Sequence, residues 1–140
     1  MKNKAPLALM EQLVMILVFA LTAALCLQIF VFSNTLSVDG ETRDHAVCAV
    51  QNAAEAIKLC AGDYEAMTAV HGGETEEDGW RIGYDENWQA VHAAQANYTV
   101  EAKSVKTEQP LLGSAQVTAR SASGRELFEV TVCWQEGLDG

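Results

Sequence analysis

Residues 13–32 form a run of twenty in which only Thr22 and Gln28 are not apolar, and no charge falls between Gln12 and Val38. Twenty helical residues at about 1.5 Å each cover about 30 Å, the thickness of a bilayer's hydrocarbon core, so the run predicts a transmembrane helix. The chain of 140 residues leaves room for one further domain of ordinary size and excludes a multi-domain enzyme. Its 49% hydrophobic content reads as globular only if the uneven placement of those residues is ignored.

The flanks predict an orientation. Lys2 and Lys4 precede the span, whereas the first charges beyond it are Asp39, Glu41, Arg43 and Asp44. The positive-inside bias places the N-terminus in the cytoplasm and the rest outside, in a single-pass plasma-membrane protein. Setting aside Lys2, Lys4 and Glu11, residues 33–140 carry seven Lys or Arg against eighteen Asp or Glu, a formal charge of −11. Such a domain repels nucleic acid and anionic lipid surfaces, so membrane lipid is the expected contact of the span and nucleic acid is excluded as a partner.

A cleaved secretory signal is the bland alternative. The apolar run is longer than a signal core, and Phe32-Ser-Asn-Thr-Leu-Ser offers no small-x-small cleavage site. Cys26 follows Leu25, where lipoprotein processing needs a small residue. A retained anchor is the reading, with a released, secreted domain as a rival.

Beyond the span the apolar period narrows. Leu36, Val47, Val50, Ala54, Ile57 and Ala61 recur three and four apart, which predicts the same helix continuing into water with an apolar stripe. Gly40 is its weak point, with a bend or break expected across 33–40, and Ala61-Gly62 supplies the stop. Asp63 caps a short second helix over 64–70, ended by Gly72-Gly73, and 74–79 reads as a solvated acidic loop. Residues 80–84 and 88–91 read as the arms of a hairpin turning at 85–87. Strands are predicted over 98–105, 114–120 and 126–134. Ala115, Val117 and Ala119 alternate with polar residues, as do Phe128, Val130, Val132 and Trp134, so one face of an antiparallel sheet is apolar. The fold class is α+β: a long N-terminal helix, transmembrane then amphipathic, packed by a small antiparallel sheet. The segments are a basic N-terminus and helix start (1–12), the span (13–32), an extracytoplasmic amphipathic helix (33–62), and a short helix with a β-meander (63–140).

A basic start, a glutamate heading a long apolar helix, an amphipathic continuation and a terminal antiparallel meander together resemble the type IV pilin and type II secretion pseudopilin superfamily. The likeness is carried by LALMEQLVMILVFALTAAL, residues 7–25, with Glu11 in the place of that family's single glutamate. The order of elements extends it over the whole chain. The resemblance implies that Glu11 pairs with the N-terminal amine of a neighbouring subunit and sets axial register. It also implies processing by a prepilin peptidase after a glycine, in the region of Ala5, Pro6 and Leu7. Here Pro6 stands in the glycine's place, after Ala5. Independently of any family, a carboxylate deep in hydrocarbon costs on the order of a few kcal/mol and demands a partner. At a helix end it reaches headgroup level instead, hydrated or paired with Lys4.

Other chemistry is sparse. Cys48 and Cys60 are twelve residues apart on one predicted helix, about 18 Å by rise, and cannot pair. Cys133 alternates onto the polar side of its strand, so free thiols serving as small apolar residues are expected, with a Cys60–Cys133 or Cys48–Cys133 bridge as the minority alternative. His45, His71 and His92 are scattered, with no metal-ligand spacing, and 74–78 lacks the alternating ligands of a calcium loop. No nucleophile-elbow or phosphate-loop sequence occurs. Asn97-Tyr98-Thr99 matches a glycosylation acceptor, a pattern common by chance. Trp80, Tyr84 and Trp88 are expected to pack the small sheet rather than to form a partner patch. No catalytic, cofactor or metal site and no small-molecule substrate is inferred.

The leading expectation is a membrane-anchored pilin-like component, a minor pilin or pseudopilin. Its partners would be other pilin-like subunits or assembly proteins, met through Ala20, Ala23 and Ala24 with Glu11 as a register device. The rival from another class is a membrane-tethered extracytoplasmic binding module, for which the span is only a leash.

Overall fold

The computed structural model describes residues 4–137; Lys2, one of the two orienting cations, lies outside the described residues. The chain divides into two units, Met1–Glu41 and Thr42–Gly140. Helix α1, Ala5–Leu59, supplies all the described structure of the first unit and enters the second. Gly40 does not interrupt it, contrary to the break expected across 33–40. One glycine costs a helix about 1 kcal/mol, too little by itself to end a long one.

The second unit continues with α2 (Tyr64–His71), β1 (Glu74–Glu76), β2 (Gly79–Tyr84), β3 (Ala90–Val91), a 3-10 turn at Ala93–Gln95, β4 (Tyr98–Ser104), β5 (Leu112–Ser121) and β6 (Glu126–Gln135). All pairings are antiparallel, in the order β1-β2-β4-β5-β6, with β3 also on β2. The fold is α+β, as the periodicities predict.

Register aligns the apolar faces. Ile82, Val100, Ala119 and Phe128 form one row across β2, β4, β5 and β6, and Trp80, Ala102, Val117 and Val130 form the next. Against these rows α1 buries Ala46, Ala49, Val50, Ala53, Ala54, Ala56 and Ile57, all in one core with Met67 of α2. Spacings of three and four keep these residues on one side of the helix, and the alanines leave room for the sheet to lie close. Val47 is only half-buried, and Ala61 and Leu36 are exposed, so the expected stripe is corrected toward Ala46, Ala49 and Ala53.

The helix ends at Leu59 rather than 62. Gly62 N donates to Ile57 O at 3.1 Å and Ala61 N to Lys58 O at 3.2 Å, with Ala61 at φ 50°. This is a Schellman cap whose left-handed position is held by alanine. Just after it, Trp134 fills a slot walled by Gly62 and its cross-strand partner Gly113; a Cβ at either glycine would run into the indole.

Three local expectations are corrected. Residues 74–76 are not a loop but the strand β1, exposed throughout. Side-chain contacts tie it to α2 and β2: Thr68 Oγ1 and Thr75 Oγ1 lie 2.8 Å apart, and Arg81 pairs with Glu76 at 3.2 Å. Trp88 is not in a hairpin arm. It sits in the 85–89 turn at φ 58°, where Asp85 Oδ1 accepts from the backbone N–H of Asn87 and Gln89. Cys48 and Cys133 are exposed, and only Cys60 is partly enclosed, so the thiols, all free, do not serve together as small core residues.

Candidate functional site

In the first unit the site is the apolar helix itself. It is long and apolar enough to cross a membrane, and none of its apolar window is buried within the chain. Large side chains point outward on every side: Leu17, Phe19, Leu27 and Phe30 are all more than half exposed. A helix apolar all round needs an apolar surrounding, either lipid or other helices.

Its polar groups are mostly self-satisfied. Thr22 Oγ1 donates to Val18 O at 2.8 Å and Thr35 Oγ1 to Val31 O at 3.0 Å, so neither hydroxyl asks for an outside partner. Pro6 falls in the first turn, where Ala8 N donates to Lys4 O at 3.1 Å. That is where a missing N–H costs nothing and a fixed φ favours helix. Ala5, Pro6 and Leu7 are therefore the start of the helix.

Not all the predicted residues come together. Ala20, Ala23 and Ala24 share one sector of α1, but Glu11 is nine residues before Ala20, about two and a half turns, and so lies on the opposite side. No ion pair joins Glu11 to Lys4 among the described residues. Sequence reasoning passed over Gln28, noting it only as a polar interruption. It follows Ala20 and Ala24 at four-residue steps, and its carboxamide has no partner among the described residues, unlike the nearby threonines. The available signal was that spacing: a small-residue row ending in an amide.

The second unit holds a cavity of about 280 Å³ at the β2 edge where β1 gives way to β3, lined in part by His71, Glu74, Arg81, Ile82, Val91 and His92. Its polar side chains engage one another. Glu74 meets His92 at 3.1 Å, and Arg81 meets Glu76 at 3.2 Å and Glu101 at 2.9 Å. Burial holds the His71 imidazole below its ordinary pKa, so it stays neutral near pH 7. His71 Nε2 and Arg81 Nε are buried and lack hydrogen-bond partners among the described residues. The lining has no hydroxyl or thiol nucleophile, and no group of three metal-ligating side chains occurs among the described residues.

The aromatics pack. Trp80 is buried, with Nε1 donating to Gly72 O at 2.8 Å. Trp88 is stacked between Tyr98, 4.3 Å away, and His45 of α1, 5.8 Å away, which fixes the 85–89 turn against the helix. Burial raises the pKa of neighbouring Tyr84. No family model matches the chain, and searches of curated proteins and of solved structures return no match.

Proposed function

We propose that this chain is a single-pass, membrane-anchored, pilin-like structural subunit, a minor pilin or pseudopilin of a type IV pilus or type II secretion-type assembly. In this reading the N-terminus is cytoplasmic and the acidic unit extracytoplasmic. The observation that carries it is one helix, Ala5–Leu59, bearing both an uncovered apolar stretch and the alanine stripe beneath the sheet. Function is association rather than chemistry. Ala20, Ala23 and Ala24 allow a neighbouring helix to approach closely, and Gln28 hydrogen-bonds across that contact, where the alternative is an unsatisfied amide in hydrocarbon. Glu11, on the far side, meets a different neighbour and sets register, so each subunit has contacts on two sides.

Substitution within the native assembly tests this. Glu11→Ala and Gln28→Leu are each expected to leave membrane insertion and head folding intact and to lower incorporation about tenfold, a loss of about 1.4 kcal/mol. Incorporation at the wild-type level in both would sink the role.

The cavity between β1 and β3 favours a second reading, a tethered binding module. Replacing residues 7–32 by an unrelated span separates the two: a leash tolerates the exchange and an assembly subunit does not.

A further inference from the structure

His71 ends α2 with its ring tilted over Trp80, centroids 5.6 Å apart, and its Nε2 is buried with no hydrogen-bond partner among the described residues. A neutral imidazole tolerates this, because it can carry its proton on Nδ1 and leave Nε2 bare. An imidazolium does not: it must place an N–H at Nε2, and a buried donor without an acceptor is costly. The strands packed against α2 have their charged groups engaged elsewhere. From β1, Glu74 is turned to His92 at 3.1 Å and Glu76 to Arg81 at 3.2 Å; from β2, Arg81 offers donors only. His92 is the other histidine of the cavity, and Glu65 on α2 itself lies in the first turn, at the opposite end. A helix C-terminus favours a cation, but burial outweighs it here and holds the ring below its ordinary pKa. The corner is also lightly held. β1 is three residues long and exposed, and the side-chain ties from Thr75 to Thr68 and from Glu76 to Arg81 lie at the surface.

We propose that the α2–β1 corner is an acid-sensitive latch: when the His71 ring takes a second proton, the last turn of α2, Gly72-Gly73 and β1 come away from β2 together. The rest of the second unit stays in place, and release bares the edge of β2 and opens the cavity. The sign follows from linkage. In the opened corner the hydrated ring titrates at its ordinary value, and in the closed corner lower, so between the two the open form binds more protons. The latch is at full strength above the ordinary value and weakens as pH falls through it. The opening equilibrium rises by at most about tenfold per pH unit, as one proton allows. His92 acts the other way, since its protonation charges the pair with Glu74 and draws β1 toward β3.

Amide hydrogen exchange of the full chain in detergent micelles is the test, read by mass spectrometry at about pH 7.5 and about pH 5, either side of the ordinary histidine range, and corrected for the intrinsic pH dependence of exchange. In the wild type, protection over 70–76 is expected to fall at least about threefold at the lower pH, with protection over 112–121 unchanged. His71→Gln and His71→Leu, which cannot take the proton, should each keep at the lower pH the protection they have at the higher. His92→Gln should retain the wild-type fall or enlarge it. A smaller fall in the wild type overturns the proposal. So does an equal fall over 112–121, which would be acid unfolding of the whole unit, or the wild-type fall persisting in both His71 variants. Loss of the fall in His92→Gln also overturns it, by assigning the titration to His92.

Discussion

Residues 13–32 and 42–59 belong to one helix, and both are rich in small and aliphatic side chains, yet they meet different surroundings. In the first stretch apolar groups face outward all round, whereas the second gathers seven buried residues on one side, five of them alanine, and leaves Gln51, Asn52, Glu55 and Lys58 to water. What separates them is both the number of apolar groups, eighteen of twenty against ten of eighteen, and their distribution around the axis. A ring of large side chains requires an apolar solvent. A narrow alanine stripe requires a sheet, because alanine contributes little area itself and works by letting two backbones approach.

The largest effect should come from breaking the second stretch without touching the first. Val50 is fully buried in the core of the second unit. Val50→Asp places a carboxylate there with no partner, at a cost above about 4 kcal/mol against the roughly 5–15 kcal/mol of a typical domain. The cooperative thermal transition should vanish and the fluorescence of Trp80 shift to the red, while the chain still fractionates with membranes. A melting temperature within a few degrees of wild type would show that the stripe is not covered.

A single chemical change made in both stretches sharpens the contrast. Ala53→Leu adds three carbons under the sheet, where Ala53 has no exposed surface, and should cost about 1–3 kcal/mol in overpacking. Ala24→Leu adds the same atoms to an exposed position and should leave the thermal transition where it is, acting only on helix association. Equal effects of the two on melting would mean that the two stretches share one environment.

Residue patterns predict the elements where local and tertiary preferences agree. Alternation in β5 and β6 placed both strands within two residues, and Asp63 and Gly72 bracket α2 because caps are local chemistry. Glu74-Thr-Glu reads as loop since its strand character depends on Thr68 and Arg81, which the fold brings from elsewhere. Trp88 at positive φ follows no propensity; it is imposed by the Asp85 turn and by stacking on Tyr98. Of the candidate site, Glu11 and the alanines were legible as residue types, and their placement on opposite sides follows from a nine-residue spacing on a helix already expected across 11–24. The cavity between β1 and β3 was not legible, because β1 itself was not.

The smallest effect has the opposite sign and lies where the covered stretch stops. Ala61 occupies the left-handed position of the cap at φ 50°, where a Cβ crowds the backbone, while the residue with no such conflict, Gly62, stands one place later. Gly62 cannot be exchanged, since Trp134 fills the space where its side chain would be. The wall that Trp134 requires thus fixes glycine at 62 and leaves alanine to bear the strain at 61. Ala61→Gly should relieve it and stabilise the second unit by about 0.5–1 kcal/mol, net of the greater freedom of glycine in the unfolded chain. The thermal midpoint should rise by about 3–5 °C, with membrane fractionation unaltered. A fall in that midpoint would mean that the helix ends in some other conformation, and that Trp134 is not what holds its last turn.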